Sequence, residues 1–124
     1  MAEDVREFFE AYGESFRNGP SAIAEFYHEP CITARMGATR LNLSRRDTEE
    51  FFVKVLETYR SKGWADGAML SLDSHPIGSN GTIATVRWKY TDTAGKSLWE
   101  WTFSYNLCKS DGEWKILLQT MHDA

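Results

Sequence analysis

The chain has 124 residues, 42% of them hydrophobic and 26% charged, with a net charge of −4. That length and balance suit one folded domain over residues 1–124 with a core of its own, and exclude two ordinary domains or a disordered tract. The negative balance, and the lack of any Lys/Arg cluster interleaved with aromatics, argue against a nucleic-acid partner, which needs concentrated positive charge.

Val5, Phe8, Phe9, Tyr12 and Phe16 recur at helical spacing, so residues 3–17 read as an amphipathic helix with Glu3 and Asp4 at its positive end. Asn18-Gly19 supplies a stop. Pro20 suits the first turn of a short second helix with Ile23, Phe26 and Tyr27 as its apolar stripe, ended by Pro30. Residues 31–36 and 39–43 read as two short strands around a Gly37 turn. Ser44 and Asp47 resemble a capping box for a third helix, whose apolar face is Phe51, Phe52, Val55, Leu56 and Tyr59 and whose stop is Gly63. Arg45-Arg46, the only basic pair, falls in the first turn of that helix and reads as a solvated face.

From about residue 67 the period changes from helical to alternating. Strands are predicted at 68–77, 82–91, 97–108 and 113–121, joined by turns at Ser79-Asn80-Gly81, Asp92 to Gly95 and Asp111-Gly112. Three hairpin connections make an antiparallel meander. One face carries Ala84, Val86, Trp88 and Tyr90, then Trp99, Trp101, Phe103 and Tyr105, then Trp114, Ile116, Leu118, Thr120 and His122. In the third long segment Leu70 and Leu72 take this covered face and Asp73 the open one. The opposite face carries Ile83, Thr85, Arg87, Lys89, Glu100, Thr102, Ser104, Asn106, Lys115, Leu117, Gln119 and Met121. The first face needs a cover, and three amphipathic helices are available. The expected class is α+β: three N-terminal helices on a mainly antiparallel sheet.

Cys31 and Cys108 have no metal or redox spacing and read as two buried free thiols in a reducing compartment, with a disulfide between them as the unsupported alternative. The charged N-terminal stretch has no apolar h-region and no run is long enough to span a membrane, so a cytoplasmic location is expected. His28, His75 and His122 share no metal-ligand spacing, and no cofactor is expected.

The order helix, short helix, hairpin, long helix, four-strand meander resembles the NTF2-like superfamily, the SnoaL-like or cystatin-like α+β cone. Tyr12…Phe16…Asn18-Gly19…Ile23-Ala24…Phe26-Tyr27 is similar to that family's first two helices, and Asp111-Gly112-Glu113-Trp114-Lys115-Ile116 to its last hairpin. The resemblance covers essentially the whole chain, and its motifs are structural. It implies a strongly curved sheet that forms a cone with an opening between sheet and helices. Some members are ketosteroid isomerases, dehydratases or polyketide cyclases, others bind proteins, and many dimerise through the outer sheet face, so the fold leaves the function open.

Tyr12 sits where the ketosteroid isomerases have a tyrosine that donates a hydrogen bond to the substrate oxygen. A phenol in an apolar cavity is a preorganised donor of that kind; the alternative is a core tyrosine with another partner. The isomerase base, a carboxylate on the first strand after helix 2, falls at about Arg35, and residues 31–36 contain no Asp or Glu. Glu29, before Pro30, is expected to point to solvent. Proton abstraction next to a carbonyl is therefore unsupported. Arg35 could bind an anionic group if its side chain enters the cone, or point outward from an edge strand. His122 continues the inward parity and could serve as acid or base near the cone mouth, with Asp123 pointing away, or be a frayed terminal residue. The expected pocket is Tyr12, Phe16, Tyr27, Arg35, Trp88, Trp101, Tyr105 and His122, holding a small apolar molecule. The rival reading is a packed cone that works as an interaction module, a homodimer through the outer face.

Overall fold

A computed structural model of the chain describes residues 2–122, and the backbone only of residues 2 and 3. The Glu3 side chain and Asp123 lie outside the described residues. The elements are α1 (Ala2–Ser15), α2 (Pro20–Ala24), β1 (Tyr27–Arg35), β2 (Ala38–Asn42), α3 (Arg45–Ser61), β3 (Asp66–Ile77), β4 (Gly81–Thr91), β5 (Ser97–Ser110) and β6 (Glu113–Met121). The strands form one six-stranded sheet in the order β2-β1-β6-β5-β4-β3. Only β1 and β6 pair in parallel; the other neighbours are antiparallel. The three helices cover one face. The fold class expected from the sequence is the one observed.

The local chemistry explains the elements. Ser44 and Asp47 close a capping box: the Asp47 N–H donates to Ser44 Oγ (3.3 Å) and the Ser44 N–H to the Asp47 carboxylate (3.4 Å). Gly63, with φ +93°, ends α3 in the left-handed conformation that a side chain disfavours. Arg45 is more than a solvated residue. Its guanidinium bonds Glu25, Glu49 and the Ser21 carbonyl, tying α2 to the start of α3. Glu29 is exposed and accepts the Arg45 backbone N–H at 2.6 Å.

The second helix is shorter than its apolar stripe suggests. It stops at Ala24, and Tyr27 opens β1 instead of closing the helix. Pro30 does not end a helix either. It lies inside β1, where pairing with β6 skips from Tyr27 to Ile32, and such an irregularity is where a strand tolerates a residue with no N–H.

Two bulges change which side chains face the helices. In β6, Leu107 pairs with Ile116 but Asn106 pairs with Leu118, so Leu117 is an extra residue. Beyond it the parity reverses. Gln119 and Met121 are buried, Leu118 is half-buried, and Thr120 and His122 are exposed on the outer face. The expected inward run through Leu118, Thr120 and His122 is thus corrected, as is the outward placing of Gln119 and Met121. In β3 the register shifts between Met69 and Ser71, so Met69 packs on the core while Leu70 is exposed, against the expectation for Leu70. Asp73 and Glu100 face out.

Candidate functional site

The covered face packs ring against ring. Tyr12 from α1 meets Phe9, Phe16, Phe26, Tyr27, Trp88 and Tyr105 at centroid distances of 5.2–6.2 Å. Trp101 belongs to a second group with Tyr59, Tyr90 and Trp99, at 5.4–5.8 Å, and the Lys62 ammonium lies over the Trp99 and Trp101 rings. The long aromatic strand β5 therefore serves two clusters: Phe103 and Tyr105 under α1, and Trp99 and Trp101 under the end of α3.

Between these clusters is a cavity of about 30 Å³, partly open to solvent. That is room for roughly two waters. Its walls include Tyr12, Phe16, Trp88, Tyr90, Phe103 and Tyr105, with Arg35, Tyr59 and Gln119 as its polar groups. Gly13 and Gly67 lie at its edge and also line the adjoining surface groove, where Arg17 and Asp66 pair at 3.1 Å. At Gly13 the approach is close: a Cβ there would meet the Trp88 ring at 2.9 Å.

Arg35 enters the cone. It shares the inward parity of Cys31 and Thr33 along β1, and its guanidinium is deep although the residue as a whole keeps some exposure. The guanidinium carbon lies over the Phe103 ring (5.0 Å) and the Phe51 ring (5.4 Å). Arg35 Nε donates to Gln119 Oε1 (3.0 Å) and Nη1 to the Tyr59 hydroxyl (3.3 Å). Gln119 Nε2 donates in turn to the Tyr27 hydroxyl (2.7 Å), which shares a 2.6 Å bond with the Tyr12 hydroxyl. A polar thread thus runs Arg35–Gln119–Tyr27–Tyr12 through the core. Trp88 Nε1 separately donates to the Tyr105 hydroxyl at 3.0 Å. Burial pushes the phenols of Tyr12, Tyr27, Tyr90 and Tyr105 well above their ordinary range, so all four are neutral donors at physiological pH.

Of the eight residues singled out from the sequence, Tyr12, Phe16, Arg35, Trp88 and Tyr105 line this cavity. Tyr27 stands one hydrogen bond behind it. Trp101 lies in the neighbouring aromatic cluster, and His122 is on the outer face, where Nε2 and Ser104 Oγ are 2.8 Å apart. Sequence reasoning missed Gln119, hidden by the β6 bulge, and Tyr59, which it read only as part of an apolar helix face. A signal for the bulge is present: Ile116-Leu117-Leu118 are three consecutive apolar residues and cannot all sit on one side of a regular strand.

No Asp or Glu lines the cavity among the described residues. Arg35, near where the resemblance would put an isomerase's base, is a cation. No group of three or more His, Cys, Asp or Glu side chains among the described residues could hold a metal ion. Burial raises the Cys31 thiol, which sits against Thr48 and Asn42, so it is a weak nucleophile. Cys108 is only half-buried, and both thiols are free. No helix among the described residues is long and apolar enough to cross a membrane.

The fold has many solved counterparts. An NTF2-like protein of unknown function from Shewanella oneidensis superposes with a TM-score of 0.76 at 14% identity, covering 98% of each chain. A cystatin-like protein of unknown function from Nostoc punctiforme gives 0.81 at 8% identity, over 97% of this chain and 88% of that one. The yeast UBP3-associated protein BRE5 gives 0.75 at 15% identity, over 96% and 92%. At these identities the likeness is one of fold. No curated protein matches the chain by sequence. Residues 2–124, nearly the full length, match the family described as NTF2-like protein (DUF6841), and the chain belongs to that NTF2-like family.

Proposed function

We propose that the protein is a binding module that holds a small, largely apolar molecule in its aromatic cone. The observation that carries this reading is a cavity between α1, α3 and the sheet, walled by rings and tipped by hydrogen-bonding groups. Its present volume takes about two waters. A larger guest enters past half-buried Phe16, on the side where Gly13 and Gly67 leave the wall thin. Isomerase, dehydratase or cyclase chemistry is the weaker alternative, because the Tyr12 hydroxyl is paired with Tyr27 and no carboxylate lines the cavity among the described residues.

The test uses indole, a neutral aromatic probe. A saturable rise in melting temperature is expected, with a saturable heat of binding by calorimetry. Both should be weakened in Gly13→Ala, whose methyl would meet the Trp88 ring of the cavity wall at 2.9 Å and force it to shift. No saturable response to indole in the unaltered protein overturns the reading.

The outer sheet face supports a second role, pairing with another copy of the chain. Its central polar groups satisfy one another: Thr85 and Ser104 share a 2.9 Å bond, and Arg87 bonds Glu100 and Thr102. Ile83 and Leu117 add exposed apolar surface, whereas Met121 is turned inward and is not part of the face. Sedimentation at micromolar concentration should give a dimer. A monomer there removes this role and leaves the cavity reading intact.

A further inference from the structure

We infer that the cavity takes an acid: a small carboxylate with an apolar or aromatic body, its anionic head on Arg35 and Tyr59. The inference rests on the binding reading above and specifies its ligand.

The first ground is charge. Arg35 is permanently cationic and deep in the protein, and no carboxylate pairs with it among the described residues. Its neighbours are two phenyl rings, an amide and a phenol. An interior guanidinium in that setting carries a desolvation penalty that rings and neutral hydrogen bonds offset only in part. A ligand carboxylate would complete the ion pair that the chain leaves open.

The second ground is a count of protons. Arg35 has five N–H donors and uses two of them. The Tyr59 hydroxyl accepts from Arg35 and is also hydrogen-bonded to the Tyr90 hydroxyl, which leaves one phenol proton of that pair over, and the Tyr105 hydroxyl accepts from Trp88 and has no acceptor for its own proton among the described residues. Between Tyr12 and Tyr27 one phenol proton is also left over. Either hydroxyl can donate to the other, and whichever does so leaves its partner's own proton without an acceptor, while Tyr27 also accepts from Gln119. The site therefore offers surplus donors on a cationic background and its one side-chain amide oxygen is already engaged. Its complement is a group that only accepts and is negative, which describes an ionised carboxylate. Burial raises the phenols of Tyr12, Tyr27 and Tyr105 and keeps those donors protonated, so the complementarity persists through neutral pH.

The third ground is placement. The guanidinium is hydrogen-bonded to both Tyr59 and Gln119, so these polar groups meet at one place in a cavity whose other walls include Phe16, Trp64, Trp88 and Tyr90. Head and body of such an acid would meet opposite chemistries across the same small space.

The experiment compares benzoate with benzamide, and propionate with propionamide, at matched chloride concentration, by melting temperature and by calorimetry. The unaltered protein should bind at least one acid ten or more times tighter than its amide. Arg35→Met should remain folded, melt no lower than the parent and lose that preference. If Arg35→Met does not fold, Arg35→Lys and Tyr59→Phe take its place: the lysine keeps the charge without the fork, the phenylalanine removes one donor, and each should weaken the acid severalfold more than it weakens the amide. Equal binding of acid and amide, or an acid preference that survives Arg35→Met, overturns the inference. Binding of indole with no binding of either acid also overturns it, and leaves the neutral-ligand reading standing. Failure of indole and both acids removes both.

Discussion

Two arginines on opposite faces of the same sheet are treated in opposite ways. Arg87 on the outer face of β4 is half-exposed and paired with Glu100 at 2.9 Å, with Thr102 at 2.8 Å as a second acceptor. Arg35 on the inner face is deep among rings and has no counter-ion among the described residues. Electrostatics inverts the value of the two arrangements. A surface pair in water contributes about 0–1 kcal/mol, whereas an unpaired interior charge costs several. A sheet built for stability alone would put its counter-ion inside. The contrast extends beyond the arginines: the inner face holds large rings and phenols, and the outer face holds small hydroxyls that satisfy each other.

The largest effect expected from this difference comes with alkali. The phenols of Tyr12, Tyr27, Tyr90 and Tyr105 are raised by burial, while in the unfolded chain they ionise near pH 10. Stability from these groups is fully present below that value and is lost as pH rises toward the native values. Each phenol contributes a slope of about 1.4 kcal/mol per pH unit, so the four together approach about 5 kcal/mol per unit. Urea unfolding at stepped pH should show this steep loss, and phenolate absorbance should appear with unfolding. Four phenols titrating in the native state near pH 10 would mean that the interior is wet.

Next is a pair of truncations across one strand. Tyr105→Ala removes a ring that packs on Phe9 and Tyr12 and leaves Trp88 Nε1 without its acceptor, so a loss of about 3–5 kcal/mol is expected. Thr102→Ala, three residues away on the other face, removes a β-branched side chain and one acceptor of half-exposed Arg87, so a loss of only about 1 kcal/mol is expected. Denaturant midpoints give both numbers. Comparable losses at the two positions would erase the distinction between a core face and a solvent face.

The distinction itself was legible in the sequence, up to a point that can be located. Alternation through Trp99, Trp101, Phe103 and Tyr105 assigns β5 correctly, because the strand keeps its period where those residues lie. The capping box at Ser44 and the hairpin turns are local chemistry, and local chemistry needs no partner to be read. Reading fails where one residue is inserted. The β6 bulge at Leu117 turns Gln119 inward and His122 outward, which exchanges an expected acid–base group for an amide that links Arg35 to the tyrosines. Tyr27 is the second lesson. Its spacing from Ile23 fits a helix, but α2 is a single short turn, and the tertiary pairing of β1 with β6 takes Tyr27 as its first residue. The direction of Arg35 depended on both strands flanking it, and no pattern within residues 31–36 carries that information.

A change of opposite sign tests the arginines directly. Arg35→Met replaces a buried charge by an apolar side chain of similar length, and a gain of about 1–2 kcal/mol is expected despite the donors lost by Gln119 and Tyr59. Stability gained together with anion binding lost is the pattern of a residue kept for function. A loss as large as that of Tyr105→Ala would instead make Arg35 a structural fastening of β1 to β6 and α3.

The smallest expected effect falls on the outer pair, and its size carries information out of proportion. Glu100→Gln leaves Arg87 with Thr102 and water, both partners being half-exposed, so the cost should lie below about 0.5 kcal/mol and shrink with added salt. That holds only while the face is wet. If two copies meet through this face, the pair becomes desolvated and Arg87 is left buried without its carboxylate, which costs roughly 3–5 kcal/mol. The variant would then unfold in a concentration-dependent way and sediment as a monomer. Measured at low and high protein concentration, one substitution on the quiet face therefore reports whether that face meets solvent or another chain, and hence whether Arg35 remains the exception it is within a single subunit.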